Sequence, residues 1–205
     1  MKGPLRRAFC IGARVKYKIV TAVATEPVTT AEAKLHLKVT TSADDDLIDG
    51  LITTARETAE HYANRAFATA TIEAADDEFP ESDDDCPLVL PFGPVESVTS
   101  VTYTDTAGAT QTVATSVYSL SSYGNARELN LKLNQVWPSA VADIADAVLV
   151  RYVTKNECPK AAHAAILLMV GFLYENREDI PINDTTNPKI RSFAALAFGR
   201  RFNLI

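Results

Sequence analysis

The sequence predicts an α+β fold in which helices near both ends of the chain flank a small antiparallel β module. Apolar residues recur at helical spacing over 47–62 and again over 161–173. Between residues 67 and 153 the period shortens to two, as in strands with one buried face. The chain has 205 residues, 47% of them hydrophobic, which is enough to bury a core without disulfide bonds.

These changes of pattern divide the chain into four regions. Residues 1–26 form a basic N-terminal arm, and residues 27–66 form the first part of a helical region. Residues 67–153 form the β module, which an acidic loop interrupts at 73–85. Residues 154–205 form the second part of the helical region and end in an apolar and cationic tail.

The N-terminal regions contain one candidate strand and two helices. Alternation of apolar residues with Lys16 and Lys18 predicts a short strand or extended arm. Thr29 and Glu32 have the spacing of a capping box, which predicts a helix from about Thr30 to Lys38. The aspartates at 44–46 open a second helix ending near Asn64. Its apolar face comprises Leu47, Ile48, Leu51, Ile52, Ala55, Ala59 and Tyr62, with Arg56 among the residues off that face.

The β module shows six runs with strand-like patterns. We expect a hairpin turn at 105–108 and a strand with one buried face over 128–133, where Leu129, Leu131 and Leu133 alternate with polar residues. The predicted strands are 68–73, 87–90, 97–104, 111–120, 128–133 and 147–153.

Helical spacing returns after Cys158. Pro159 suits the first position of a helix, and apolar residues from Ala161 to Leu173 form a broad face. Asn187 and the proline after it predict a last short helix, with Gly199 as its C-cap. The apolar and cationic residues that follow predict either a docking element or a segment folded back onto its own domain.

Charge and cysteine content exclude several classes of protein. The net charge of −6 argues against a general nucleic-acid binder. Three widely spaced cysteines favour a reducing compartment over a disulfide framework. The longest apolar run is too short to span a bilayer, so we expect a protein of cytoplasmic origin. The charges lie in blocks: six basic residues precede Glu26, and eight acidic residues with no basic one lie between Glu73 and Asp85.

The sequence offers few candidates for catalysis. His36, His61 and His163 lack the spacing of metal ligands on one helix, and His163 with Cys158 makes a conceivable nucleophilic pair without a local orienting acid. The aspartates at 44–46 and 83–85 could hold a hard cation in a metal-dependent hydrolase, or cap a helix and solvate a loop. Phosphate-binding and nucleophile-elbow motifs are absent from the sequence. We therefore expect no enzyme, no catalytic or metal-binding residue and no cofactor.

Four segments in consistent order carry a resemblance to a known family. They are 26–39 (EPVTTAEAKLHLKV), 44–48 (DDDLI) with the helix that follows it to YANR, 90–101 (LPFGPVESVTSV) and 161–178, which ends in LYENRE. Together they resemble the head-to-tail connector (adaptor) proteins of tailed bacteriophages, the portal-binding first ring of the neck. The resemblance covers roughly residues 25–177.

The resemblance implies a structural virion protein without enzymatic activity. Its implied fold is a small helical bundle formed by the N- and C-terminal segments, with an inserted antiparallel β module. Its implied role is a homo-oligomeric ring beneath the portal, matching twelvefold portal symmetry, in the virion neck after assembly in the host cytoplasm. Such a ring extends the DNA channel without specific DNA binding and is the platform for stopper or tail proteins. The alternative role is a stopper or tail-completion protein of the same neck.

Two sets of residues follow as candidate contact sites. Because family members often use the C-terminal segment to bind the portal, the portal-docking set is Phe193, Phe198, Arg200, Arg201, Phe202, Leu204 and Ile205. Ring closure needs two different complementary surfaces, and opposite charge blocks would set their register. The inter-subunit set is Arg6, Arg7, Arg14, Lys16, Lys18, Asp83, Asp84 and Asp85.

Overall fold

The computed structural model describes residues 16–80, 87–121 and 127–176, which divide into two compact units. The β unit contains 16–22 and the described parts of 70–155, and the helical unit contains 23–69 and 156–176. The elements in chain order are β1 (Lys16–Thr21), α1 (Thr30–Leu37), α2 (Asp45–Ala63), β2 (Thr71–Asp76), β3 (Leu88–Val89), β4 (Val95–Thr104), β5 (Thr110–Thr112), β6 (Tyr118–Leu120), β7 (Glu128–Leu131), β8 (Val148–Thr154) and α3 (Lys160–Glu175). Helices before and after antiparallel sheets confirm the α+β fold class.

The β unit consists of two antiparallel sheets around one core. The larger sheet has the strand order β1-β2-β8-β4-β5, and the smaller has the order β3-β7-β6. Tyr152, the largest fully buried side chain, lies on the central strand of the larger sheet and donates a hydrogen bond to the Pro91 carbonyl. Phe79 stacks on Trp137 with ring centroids 5.0 Å apart. These aromatic side chains join both sheets into one apolar cluster.

The helical unit packs α1, α2 and α3 around a second core. Ile48, Ile52 and Ile166 are fully buried there, together with Val28 and Val170. The capping box is formed as expected: the Thr29 hydroxyl accepts from the Glu32 amide, and the Glu32 carboxylate accepts from the Thr29 amide. Asn64 ends α2 in the left-handed conformation. None of the helices within the described ranges has the length and apolarity of a membrane span.

The structure corrects several predicted elements. The single strand predicted over 111–120 is wrong: β5 and β6 belong to different sheets, and a turn closed by the Val117 amide on the Ala114 carbonyl separates them. Pro159 is the residue before α3 rather than its first residue. Residues 73–76 belong to β2, so the acidic stretch begins inside a strand. The last short helix predicted after Asn187 lies outside the described residues.

Some side chains differ from the prediction in their exposure to solvent. Leu47 and Tyr62 are exposed, although the pattern placed them on the apolar face of α2. Leu133 is 89% exposed, because β7 ends at Leu131 and the chain turns through Asn134 in the left-handed conformation. Arg56 is the opposite case: the pattern places it off the apolar face, yet it is 6% exposed because three carboxylates surround it.

Candidate functional site

A ladder of alternating charges crosses one face of the larger sheet. Lys18 on β1 lies opposite Glu73 on β2, which lies opposite Arg151 on β8. The Lys18 ammonium is 2.6 Å from one Glu73 oxygen, and the Arg151 Nη2 is 2.6 Å from the other. The hydrogen bond from Lys18, followed by that from Arg151, holds the pKa of Glu73 below its ordinary value. Glu73 therefore stays charged between its two basic partners.

A second basic residue of β1 makes a separate set of contacts. The Lys16 ammonium lies 2.9 Å from Asp146 and 3.5 Å from Asp77, and its hydrogen bond to Asp146 raises the pKa of Lys16. The Asp146 amide donates to Asp77 at 2.8 Å, which lowers the pKa of Asp77. The two described lysines of the inter-subunit set thus bind acids of their own chain. Its other members, Arg6, Arg7, Arg14, Asp83, Asp84 and Asp85, lie outside the described residues.

The helical unit contains a buried charge cluster centred on Arg56. The Arg56 Nε donates to Glu26 at 2.7 Å, and its Nη1 donates to Glu60 at 2.5 Å. Burial raises the pKa of Glu60, while the hydrogen bond from the Phe67 amide and the charge of Arg56 act in the opposite direction. This cluster links α2 to residues that precede and follow it.

The aspartates that open α2 hold helices together. The Tyr174 hydroxyl donates to Asp44 at 2.5 Å, and the Lys34 ammonium lies 2.6 Å from Asp45. These contacts join α3 and α1 to the start of α2. Across 16–80, 87–121 and 127–176, no group of three or more His, Cys, Asp or Glu side chains is arranged to hold a metal ion.

The conceivable nucleophilic pair is not formed. The Cys158 thiol donates to the Pro159 carbonyl at 3.8 Å, whereas the His163 Nε2 lies 3.7 Å from Glu32. Burial, with the charge of Glu60, raises the pKa of Cys158 to about 11. A thiol with that pKa is almost entirely protonated at neutral pH, so it is a poor nucleophile.

Exposed apolar side chains mark surfaces that sequence analysis missed. Leu35 on α1 is 82% exposed, and Ile19 lies exposed on the edge strand β1. Leu133, Val136 and Ile144 are exposed in the segment between β7 and β8. Large exposed apolar residues are candidates for protein contacts. The signal for Leu133 was present in the sequence, because the asparagine after it favours a turn over a continuing strand.

The predicted portal-docking residues lie outside the described part of the chain. These are Phe193, Phe198, Arg200, Arg201, Phe202, Leu204 and Ile205. Their role stays a prediction.

Comparison with known proteins identifies both a family and a fold. The family model of the phage gp6-like head-tail connector protein matches residues 28–134. The solved structure titled "Neck of native GTA particle computed with C12 symmetry" contains a chain 21% identical to this one, with a TM-score of 0.68, and the match covers 89% of this chain and 92% of that chain.

Two further solved structures of gene transfer agent (GTA) particles contain similar chains. The neck of the empty particle, computed with C6 symmetry, matches at 21% identity and a TM-score of 0.67, over 89% of this chain and 93% of that chain. The virion of the native particle matches at 22% identity and a TM-score of 0.68, over 88% of this chain and 92% of that chain. Comparison with curated proteins gave no match.

Proposed function

Since this chain belongs to the phage gp6-like head-tail connector family, we propose that it is a structural subunit of the neck ring beneath the portal of a tailed particle. The observation that carries the proposal is the family match over residues 28–134, which runs from the start of the helical unit through most of the β unit. In this role the ring extends the DNA channel in the virion neck and gives stopper or tail proteins a platform.

The solved structures of similar fold support a ring. Two of them are particle necks computed with C6 and C12 symmetry. A closed ring needs a heterologous interface, with two different surfaces on each subunit. We propose twelve subunits, matching the portal, and assembly in the host cytoplasm.

The contacts of the described ionisable groups support a structural role without catalysis. Asp44 and Asp45, which an alternative hydrolase would use for a metal, bind Tyr174 and Lys34 and thereby join helices. Burial raises the pKa of Cys158 to about 11, and its thiol donates to the Pro159 carbonyl. No contact in the described residues favours the hydrolase alternative.

Portal docking is proposed for the C-terminal segment and has a direct test. The variant lacking residues 200–205 should fold, shown by an unchanged melting temperature, and should lose binding to immobilised portal. Its control is the full chain without the truncation, measured on the same immobilised portal. Undiminished portal binding by the truncated chain would overturn this docking site. Binding to a stopper or tail protein but not to portal would instead favour the stopper role.

Inter-subunit electrostatics are proposed for the basic arm and the acidic loop. Replacing Asp83, Asp84 and Asp85 together by Asn should shift the assembled species toward smaller masses at low ionic strength. The effect should shrink in high salt, because salt screens exposed charges. An unchanged mass distribution at low salt would mean that these aspartates only solvate the loop.

A further inference from the structure

The chain passes between the β unit and the helical unit three times. The passages fall between residues 22 and 23, 69 and 70, and 155 and 156. On the helical side, each passage has a residue close by in sequence that contacts the second half of α2 or the residues just after it. These residues are Glu26, Phe67 and Glu157.

The first connecting segment is held by two hydrogen bonds to its glutamate. One Glu26 oxygen accepts from the Arg56 Nε at 2.7 Å, and the other accepts from the Thr53 hydroxyl at 2.9 Å. The Arg56 side chain is 7% exposed and that of Glu26 is 27% exposed, so the pair is largely removed from water. The segment just after residue 23 is therefore fastened to α2 through charge.

The second connecting segment is held by the same network. The Phe67 amide donates to one Glu60 oxygen at 2.7 Å, and the other Glu60 oxygen accepts from the Arg56 Nη1 at 2.5 Å. One guanidinium therefore binds the two carboxylates that hold the first and second segments. If Arg56 is replaced by an uncharged residue, the carboxylates of Glu26 and Glu60 lose their basic partner at a site with little access to water.

The third connecting segment lies against the end of α2. The Arg65 Nη2 is 3.1 Å from Glu157, one residue before the half-buried Cys158. The Arg65 amide donates to the Glu60 carbonyl at 3.1 Å, so the residue that binds Glu157 is itself hydrogen-bonded to Glu60 of the network. The third segment therefore lies within reach of the network that holds the other two.

We propose that these groups form one cooperative anchor, the α2 anchor, that fastens all three connecting segments to the helical unit. It comprises Arg56, Glu60 and Arg65 on and just after α2, with their partners Glu26, Phe67 and Glu157. Buried charged networks respond as a unit, because the loss of one member leaves the others unsatisfied. Loss of Arg56 therefore releases segments that it does not touch. The inference concerns the helical unit alone and does not depend on the proposed function.

The test compares Arg56→Met with Arg151→Met in the full chain, in which Cys10 and Cys86 are replaced by Ser. Arg151 is the matched control, since it also binds a glutamate but lies in the β unit. Two readouts are the hydrogen exchange of amides in the three segments and the alkylation rate of Cys158. In Arg56→Met we expect the amides of all three segments to exchange about tenfold faster and Cys158 to be alkylated about tenfold faster. The amides of β2, β4 and β8 should keep their exchange rates. The control should change neither readout.

Three outcomes would overturn the proposal. Faster exchange confined to residues 24–29 would mean independent contacts rather than one anchor. Equal acceleration in Arg151→Met would mean a global loss of stability. If Cys158 is alkylated at the wild-type rate in both variants, the third segment does not belong to the network.

A milder variant covers the case in which Arg56→Met does not fold. Glu26→Gln keeps the size of the side chain and one oxygen acceptor, but it replaces the other oxygen by an amide nitrogen and removes the negative charge. The anchor predicts that Cys158 reacts at least about twice as fast in Glu26→Gln, although Glu26 belongs to a different connecting segment. An unchanged Cys158 rate in this folded variant would overturn the proposal.

Discussion

The two units use the same pairing of an arginine with glutamate in opposite environments. In the helical unit the Arg56 side chain is 7% exposed and binds acids from three positions. In the β unit the Arg151 side chain is 45% exposed and binds Glu73, whose own side chain is only 8% exposed. The arginine is therefore buried in the helical unit, whereas in the β unit the glutamate is buried and its basic partners are open to solvent.

The difference lies in how many basic partners each buried carboxylate keeps when one of them is lost. A buried pair is costly to break, because the remaining partner is left without water. In the β unit the buried Glu73 carboxylate is shared by two exposed basic side chains, so the loss of one does not leave it without a charged partner. Loss of either Lys18 or Arg151 therefore leaves Glu73 with one basic partner, whereas loss of Arg56 removes the arginine from both Glu26 and Glu60.

The largest expected effect is on stability after loss of the buried arginine. Arg56→Met should lower the free energy of unfolding of the helical unit by about 3–5 kcal/mol, because Glu26 and Glu60 lose their partner. Arg151→Met should lower that of the β unit by less, about 1–2 kcal/mol, because the Glu73 carboxylate, although only 8% exposed, keeps Lys18 as a basic partner at 2.6 Å. Urea unfolding of both variants measures the difference. Equal losses would contradict the contrast between the units.

An intermediate effect is expected from a buried neutral group in the β unit. Thr154 is fully buried, and its hydroxyl accepts from the Ala70 amide at 2.8 Å. Thr154→Val keeps the shape but removes the acceptor, so it should cost about 1–3 kcal/mol of unfolding free energy. Thr154→Ser keeps the hydroxyl and is the control. Because serine lacks the buried methyl group, both variants are compared with the wild type, and a valine variant as stable as the wild type would show that this hydrogen bond contributes nothing.

The smallest expected effect is a pH dependence that differs in sign between the units. The folded-state pKa of Glu73 lies below its ordinary value of 4.5, so its contribution to stability is complete above that pH. It is lost as the pH falls through the lowered folded-state pKa. Burial raises the pKa of Glu60, so the contribution of Glu60 is complete at low pH and is lost as the pH rises through the raised value.

Glu73→Gln tests this sign directly. The wild type should exceed the variant in stability by a constant amount near neutral pH, and the difference should shrink below about pH 4.5. Urea midpoints measured across that range give the difference. A gap that widens with acidification would contradict the assigned direction.

Local signals account for the elements that the sequence predicted correctly. The capping box at Thr29 and the left-handed Asn64 each involve atoms within a few residues, so their pattern is visible in the chain. The division of 111–120 into β5 and β6 was not visible, because the two strands pair with partners in different sheets. Strand propensity reports a pleated surface but not which sheet the strand joins.

The charge clusters show the same limit. An arginine off the apolar face of an amphipathic helix is predicted to be exposed to solvent. Arg56 is buried instead, because it binds Glu26, which lies thirty positions away in the chain. The Lys18–Glu73–Arg151 ladder likewise requires the register of three strands. The blocks of like charge in the sequence predict where charge accumulates. The partner of each charged side chain within the subunit depends on the tertiary structure.

Imaging of the purified chain mixed with its portal protein tests the central claim most directly. Electron microscopy of the mixture should reveal a ring of this protein stacked coaxially on the portal, with an open central channel. The ring should be absent from portal alone. A portal that remains bare at saturating concentrations of the folded full chain would contradict the proposed role as a portal-bound neck ring.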